Sequence, residues 1–249
     1  MGVTFSHTGL VLKSTKLGET DVILTLLVED GSLVQGVLKG ARNPKSKTVG
    51  KSELFSLQRI LFAQGRSLSI ITDSAIIESS KGLINNYEAA LTASVIAEIA
   101  LKTSIADNPQ PRFFALTHAA LQMLMAQSDP LVMYAIMVAY FLKALALQGY
   151  RPALQVCASC FDEKEAIGWS DAMGGLVCAD CFDESTCVTI SAPTCSWMRF
   201  FMMSTFEEIA VANYEKPVLD ETAQLLKKFF EYNIGTSLKS LAIFWSLSP

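Results

Sequence analysis

Histidine is scarce in this chain of 249 residues, which holds only His7 and His118. Two isolated histidines leave no set of acid, base and nucleophile, and no G-x-S-x-G nucleophile elbow is present. The segment Gly50-Lys51-Ser52 resembles the end of a phosphate-binding P-loop, but that motif requires glycine where Lys45 stands. We therefore expect a protein that is not an enzyme.

An overall excess of positive charge is also missing, because 20 Lys and Arg stand against 24 Asp and Glu, for a net charge of −4. This balance excludes a chain coated with basic residues, so nucleic-acid binding would require a local patch. Residues 1–80 carry nine basic and seven acidic side chains, whereas residues 81–249 carry eleven and seventeen. The positive charge is therefore concentrated in the N-terminal third.

Signals for export or membrane insertion are absent as well. Residues 1–12 lack a basic region followed by an apolar stretch and a cleavage site. The most apolar stretch, residues 131–147, is short for a span, contains Lys143 and follows the helix-start signal Asp129-Pro130. We expect a cytoplasmic protein without membrane contact, in which this stretch is a buried helix.

Short apolar runs separated by glycine fill the first 80 residues and are typical of strands. The pair Asp30-Gly31 predicts a hairpin, since type I′ turns need positive φ. Five short strands are too few for a sandwich, and five is the strand number of the OB-fold. We predict such a β-barrel over residues 1–80, with strands near residues 5–13, 21–28, 33–38, 57–62 and 68–77.

After residue 80 the apolar spacing changes to the longer period of helices. Three helices are predicted near residues 88–106, 111–126 and 130–148, and two more near 192–206 and 219–232, before an apolar tail at 241–245. The predicted class is α+β. A DNA-binding OB-fold barrel (1–80) precedes an all-α domain (81–249), into which a zinc finger (150–186) is inserted.

Four cysteines form two C-x2-C pairs separated by seventeen residues, which is the spacing of a four-cysteine zinc site. Two residues between thiolates let one tight turn present both sulfurs to the same tetrahedral ion. Because four thiolates close the coordination shell, we predict one structural rather than catalytic Zn²⁺. Its ligands would be Cys157, Cys160, Cys178 and Cys181.

The cysteines have three other interpretations. Two disulfides would need an oxidising compartment, and a redox C-x-x-C would need only one pair inside a βαβ unit. The third alternative is a set of unliganded core cysteines. Cys187 and Cys195 lie outside the metal pattern, and free cysteines of this kind usually pack as small buried hydrophobes.

Basic residues dominate the segment from residue 39 to residue 66, where Glu53 is the one acid. A loop of this kind, placed after a strand, can bring several cations against a phosphate backbone. A solvated polar loop is the alternative. Phe55 and Phe62 could be stacking platforms for bases, or core residues. The predicted DNA-binding residues are Lys39, Arg42, Lys45, Lys47, Lys51 and Arg66.

Two motifs in the N-terminal third resemble the opening of the RecO family of DNA repair and recombination proteins. They are Gly18-Glu-Thr-Asp21 and Lys39-Gly-Ala-Arg42, the second followed by Pro44-Lys-Ser46. The cysteine pairs, with Gly174-Gly175 ahead of the second, resemble the zinc finger of many members. Gly149-Tyr150-Arg151-Pro152 stands where the family has a similar approach. Asn43 departs from the pattern, because a basic residue is frequent there, and weaker DNA binding by the loop would follow.

The resemblance implies an OB-fold, a helical domain and a role as a recombination mediator in the bacterial nucleoid. Members of the family bind single- and double-stranded DNA and promote annealing. With RecR they load RecA onto DNA covered by single-strand-binding protein, whose acidic C-terminal tail they bind through the helical domain. The alternative hypothesis is a protein–protein adaptor whose helical domain binds partners without direct DNA binding.

Overall fold

The computed structural model describes residues 3–46, 48, 50–65, 67–104 and 109–247. Its N-terminal part is a closed five-stranded barrel with the order β1-β2-β3-β5-β4, in which only the β3–β5 pair is parallel. This architecture confirms the predicted barrel. The strands are β1 (Thr4–Leu17), β2 (Asp21–Val28), β3 (Leu33–Leu38), β4 (Leu57–Ala63) and β5 (Ser69–Glu78).

Alternating apolar side chains fill the barrel, as the two-residue period of a strand requires. The buried set includes Val22, Leu24, Leu26 and Val28 of β2, together with Phe62 of β4. Gly36 of β3 faces the same interior, where an added Cβ would lie 2.7 Å from Phe62 Cε1. The barrel therefore accommodates the Phe62 ring only because residue 36 has no side chain.

The first strand is longer than predicted and continues to Leu17 past a bulge between Val11 and Lys13. Its exposed end pairs with the start of β2, so a hairpin of β1 and β2 carries the turn at residues 18–20. The hairpin predicted at Asp30-Gly31 is confirmed, with Gly31 at φ +86°. Its turn spans residues 29–32 and is not type I′, because Asp30 does not adopt positive φ.

Helices follow the barrel, and a small three-stranded sheet of order β7-β6-β8 interrupts them. The α+β class and the three long predicted helices α2, α3 and α4 are confirmed. The short helices α1 and α6 were not predicted, and the predicted apolar tail is helix α8. The elements are α1 (Lys81–Ile84), α2 (Tyr87–Thr103), α3 (Pro111–Met125), α4 (Pro130–Leu147), β6 (Ala166–Ser170), β7 (Gly175–Cys178), β8 (Val188–Thr189), α5 (Ala192–Met203), α6 (Phe206–Ala210), α7 (Lys216–Ile234) and α8 (Lys239–Leu247).

The chain forms two compact units, Met1–Met125 and Ala126–Pro249. The first contains the barrel with α1, α2 and α3. The second contains α4, the three-stranded sheet and the remaining helices. The sequence-based division into domains 1–80 and 81–249, with the finger at 150–186, stays a prediction.

Helix α4 is the one described helix that is long and apolar enough to cross a membrane by length and composition, and 67% of it is buried inside the protein. The Asp129 carboxylate caps its start by accepting a hydrogen bond from Leu131 N at 2.8 Å. Lys143, the one charged residue of the apolar run, donates to the carbonyl oxygen of Met202 at 3.1 Å. These contacts are those of a core helix in the second unit.

Replacing Gly36 by alanine tests the packing of the barrel. Gly36→Ala should lower the free energy of unfolding by about 1–3 kcal/mol, because the methyl group overpacks the core against Phe62. Gly82→Ala is the matched control. A Cβ at Gly82 would lie 4.0 Å from Met125 Cγ, and stability should be unchanged or rise by about 0.5–1 kcal/mol. Urea denaturation measures both, and a Gly36→Ala protein as stable as the wild type would contradict this packing.

Candidate metal centre and nucleic-acid interface

The four cysteines predicted as ligands come together in the second unit. Their sulfur atoms all lie within 4.8 Å of one another, and Cys160 Sγ is 3.8 Å from Cys178 Sγ. Tetrahedral ligands with metal–sulfur bonds of about 2.3 Å would be about 3.8 Å apart, whereas a disulfide needs about 2.05 Å. All six cysteines are unpaired, so the two-disulfide interpretation is not the arrangement in the structure.

Each C-x2-C pair occupies a tight turn. The first closes when Phe161 N donates to the carbonyl oxygen of Cys157 at 3.0 Å, and Phe161 adopts φ +64°. The second begins at the end of β7 and continues through the 3₁₀ turn Ala179–Cys181. Cys178 N lies 3.4 Å from Cys157 Sγ and donates to it. The backbone therefore both positions the sulfurs and stabilises negative charge on them.

The glycine pair ahead of the second turn has a steric role. Ala153 bridges to Gly175 in parallel register, and Leu176 N donates to the carbonyl oxygen of Ala153 at 2.9 Å. A Cβ on Gly175 would lie 2.4 Å from that same oxygen. Only glycine permits the approach segment after Pro152 to pair with β7, and this pairing brings the first cysteine turn beside the second.

The acidity of the thiols differs strongly within the cluster. Burial raises the pKa of Cys157, but hydrogen bonds from the backbone outweigh it and lower the pKa to about 6. At Cys160 a hydrogen bond from the Asp162 backbone acts to lower the pKa, yet burial and the neighbouring thiols raise it to about 12. Four crowded sulfurs cannot all ionise without a compensating cation. The group could hold a metal ion, and its closed shell would leave no open position.

The surface around the cysteines is acidic. Lys164 is paired with Asp162 and Asp180, each at 3.0 Å. Such a surface repels phosphates, so the candidate nucleic-acid interface must lie elsewhere. Its exposed acids are Asp162, Glu163, Glu165, Asp180, Asp183 and Glu184.

The basic loop after β3 is fixed to the turn of the β1–β2 hairpin. The Asp21 carboxylate accepts hydrogen bonds from Gly40 N at 2.8 Å and from Thr20 Oγ1 at 2.9 Å. Arg42 N donates to the carbonyl oxygen of Thr20 at 2.9 Å, and Arg42 Nη1 donates to that of Gly18 at 3.2 Å. The two motifs noted in the sequence therefore form one joint, here called the hairpin–loop clasp.

The loop is also folded upon itself. Thr48 Oγ1 donates to the carbonyl oxygen of Lys39 at 2.9 Å and lies 2.6 Å from Ser46 Oγ. The Asn43 carboxamide oxygen accepts from Lys45 N at 3.1 Å. Gly40 adopts φ +66°, a conformation that favours glycine. These bonds present the side chains of Lys39, Arg42 and Lys45 to solvent.

The predicted DNA-binding residues have different environments. Lys51 forms an ion pair with Asp73 at 2.7 Å, so phosphate would have to compete with that carboxylate. Lys47 and Arg66 lie outside the described residues. Lys39, Arg42 and Lys45 share one exposed loop, as the sequence suggested.

Neither predicted stacking platform is available to a base. Phe62 is fully buried in the barrel and Phe55 is 8% exposed. The structure therefore supports the alternative interpretation, in which both rings are buried packing residues.

Electrostatics keep the clasp charged at neutral pH. The hydrogen bond from the Gly40 backbone, assisted by Thr20 and by nearby Lys39, holds the pKa of Asp21 below its ordinary value. The hydrogen bond from Lys51 likewise lowers the pKa of the Asp73 carboxyl group below its ordinary value. Both acids are therefore ionised wherever DNA is stable, and each has a defined basic or backbone partner.

Sequence reasoning missed the placement of three residues in the β1–β2 hairpin. Asp21 was noticed as part of a motif, but its bond to the loop depends on strand register. Lys13 and Lys16 lie on the exposed end of β1, which was predicted to stop at residue 13. Two lysines three residues apart beside a glycine turn were the available signal. Because strand ends are hard to locate from sequence, the first strand was predicted to end before Lys16.

Comparisons with known proteins match two segments of the chain, which together cover most of its length, to one family. The model "Recombination protein O N terminal" matches residues 1–80, and "Recombination protein O C terminal" matches residues 84–242. The DNA repair protein RecO of Bifidobacterium adolescentis is 31% identical over 251 residues, covering 96% of this chain and 98% of its own. That of Dehalococcoides mccartyi strain CBDB1 is 28% identical over 240 residues, covering 95% and 93%. The chain therefore belongs to the RecO family of DNA repair proteins.

Proposed function

We propose that this protein is a non-catalytic recombination mediator. It would bind single- and double-stranded DNA and promote annealing of complementary strands. With RecR it would support loading of RecA onto DNA covered by single-strand-binding protein. The observation that carries the proposal is the hairpin–loop clasp, which holds three exposed cations together in a chain of the RecO family.

The clasp suits a polyanion for a physical reason. Lys39, Arg42 and Lys45 project from a loop whose backbone is fixed at both ends by hydrogen bonds, so little order must be gained on binding. Arg42 uses one guanidinium N–H to bind Gly18 and keeps others that can reach a phosphate. Contacts of this kind hold DNA without reading its sequence.

The second unit would contribute protein contacts and a structural zinc ion. Cys157, Cys160, Cys178 and Cys181 would bind one Zn²⁺, which fastens the approach segment to the β6–β7 hairpin. The helical domain would bind the acidic C-terminal tail of single-strand-binding protein. RecR would be a direct partner and RecA an indirect one, in the bacterial cytoplasm near the nucleoid.

A mediator of this type acts by binding DNA and protein partners, so it requires no catalytic side chain. His118 forms a hydrogen bond with Glu78, whose Oε2 lies 2.8 Å from the histidine Nε2. Gln122 donates to the same carboxylate oxygen at 3.0 Å. A ring held this way links β5 to α3. The adaptor hypothesis differs in one respect, since it predicts no direct binding of DNA.

Reversing the charge of the loop should weaken DNA binding. Arg42→Glu with Lys45→Glu should lower affinity for single-stranded DNA. The slope of log Kobs against log salt should become shallower by about 0.7 for each phosphate that the variant no longer neutralises. Fluorescence anisotropy titrations at several salt concentrations measure both quantities.

A charge-matched control separates the loop from net charge. Arg112→Glu with Lys228→Glu alters two exposed helical cations and changes the net charge equally. This control should bind DNA nearly as well as the wild type. Equal affinity for the loop variant and the wild type would contradict the assignment of the loop. A wild-type protein that binds no DNA would favour the adaptor.

Removing the Asp21 carboxylate should change the affinity for DNA in the direction opposite to the one that charge alone would predict. Asp21→Ala deletes a negative charge near the loop, which by charge alone should strengthen DNA binding. We expect affinity to fall several-fold, because Gly40 loses its partner and the loop loses its fixed shape. Glu19→Ala is the control, since Glu19 is exposed in the same turn and its removal should raise affinity slightly. Tighter DNA binding by Asp21→Ala would show that the clasp has no positioning role.

Metal analysis tests the proposed zinc site independently of DNA. Purified protein should contain about one equivalent of zinc, and Cys157→Ser or Cys178→Ser should lose it. The melting temperature should then drop by several degrees, because metal binding and folding are coupled. Cys195→Ser is the control, since that thiol is buried in α5 outside the cluster. Full stability after complete metal removal by a chelator would rule out the structural role.

A further inference from the structure

Aromatic residues are few in the barrel, and each of their rings is buried or half-buried. Residues 1–80 contain no Tyr or Trp and three Phe. Phe62 is 0% exposed and Phe55 is 8% exposed. Phe5 packs against the barrel core, with its ring stacked on that of Phe62 at a centroid distance of 5.2 Å. No phenylalanine ring of the described barrel is therefore fully exposed, and one face of the half-buried Phe5 ring is covered by Phe62.

This arrangement departs from the usual way in which OB-folds bind single strands. Such proteins pair a basic groove with aromatic side chains on which successive bases stack. A groove of about 520 Å³ beside α2 is lined in part by Lys13, Gln35 and Phe55, but the Phe55 ring is almost wholly covered. The barrel has the cations of this mode of binding and lacks its stacking platforms.

Lys16, on the β1–β2 hairpin, lies near the basic loop formed by Lys39, Arg42 and Lys45. Lys16 of β1 is opposite Val22 of β2, and Val22 is opposite Leu38 of β3, the residue before Lys39. Two strand spacings of about 4.8 Å therefore place Lys16 about 10 Å from the start of the basic loop. Lys13 stands three residues away in the same strand, so its side chain points to the opposite face, where it lines a groove beside α2. Lys16 is exposed and adds one cation to the surface formed by Lys39, Arg42 and Lys45.

We propose that this surface holds a single strand by its phosphates alone and leaves the bases facing away from the protein. The inference rests on the proposed function, because it assumes that the basic loop binds DNA. Cations contact the sugar–phosphate backbone, and no ring competes for the bases. A complementary strand could then pair with the bound strand without first displacing its bases from the protein. The geometry thereby gives annealing a physical basis.

The ligand class that follows is a linear phosphodiester, with or without bases. The test compares fluorescein-labelled (dT)20 with an abasic chain of twenty tetrahydrofuran phosphodiester units, by anisotropy at one moderate salt concentration. The two dissociation constants should agree within about threefold. Each base stacked on an aromatic ring would contribute roughly 5-fold or more. Weakening of 10-fold or more for the abasic chain would overturn the inference.

A second readout follows the bases directly. Twenty-residue oligonucleotides carrying 2-aminopurine should not lose fluorescence on binding, because stacking on a protein ring would quench it. Tyr87, at the start of α2, is 55% exposed and lies in the same compact unit, so Tyr87→Leu is included. Unchanged affinity of Tyr87→Leu for (dT)20 supports the inference. Quenching in the wild type that Tyr87→Leu relieves would contradict it.

The proposed function and the inference fail in different ways. If (dT)20 binds, depends on Arg42 and Lys45, and is preferred at least 10-fold over the abasic chain, the proposed function stands and the phosphate-only mode is wrong. If neither chain binds in a manner that depends on Arg42 and Lys45, both are wrong. Equal binding of both chains, reduced together by Arg42→Glu with Lys45→Glu, supports both.

Discussion

The hydrogen bond from Gly40 N to the Asp21 carboxylate is the constraint that holds the basic loop, the proposed nucleic-acid surface, in its shape. It joins the end of a hairpin turn to a loop nineteen residues further along the chain, and the two Arg42 contacts to the same turn complete the joint. A loop with several like charges would otherwise spread in solvent, since its cations repel one another. The acidic residue Asp21 thus holds a basic loop in place. The pattern of charges in the sequence alone would not have revealed that role.

The cysteine cluster imposes a comparable constraint on the second unit. Its closed geometry fits a tetrahedral ion, and the acids around it disfavour contact with DNA. A metal ion bound there would hold together a short sheet of three small strands. Two-stranded ribbons are marginal in water by themselves. The basic loop thus lies in the first unit, and the cysteine group that could hold a metal ion lies in the second.

Much of this architecture could be predicted from the sequence. The five-stranded barrel, the three long helices and the grouping of the four cysteines follow from periodicity and from cysteine spacing. The bulge after Val11 could not be anticipated, because Leu10, Val11 and Leu12 form a continuous apolar run and residues 13–16 are polar, so no alternation marks the extra residue. That bulge lengthens the hairpin and exposes Lys13 and Lys16.

Pairing between distant residues was the other source of error. Lys51 looked like a free cation, but its partner Asp73 is twenty-two positions away and is set by the packing of β5. The short helices α1 and α6 span four and five residues, which is too little for a periodic signal. Phe55 and Phe62 could not be assigned to groove or core from sequence, since an aromatic residue in or beside a strand suits either environment.

The central claim is that several cations of the first unit contact phosphates at the same time. The salt dependence of wild-type binding to single-stranded DNA measures this number most directly. Three loop cations that each neutralise a phosphate imply a slope of log Kobs against log salt of about −2, and a contribution from Lys16 would steepen it toward about −3. A slope near zero, with DNA still bound, would contradict the account.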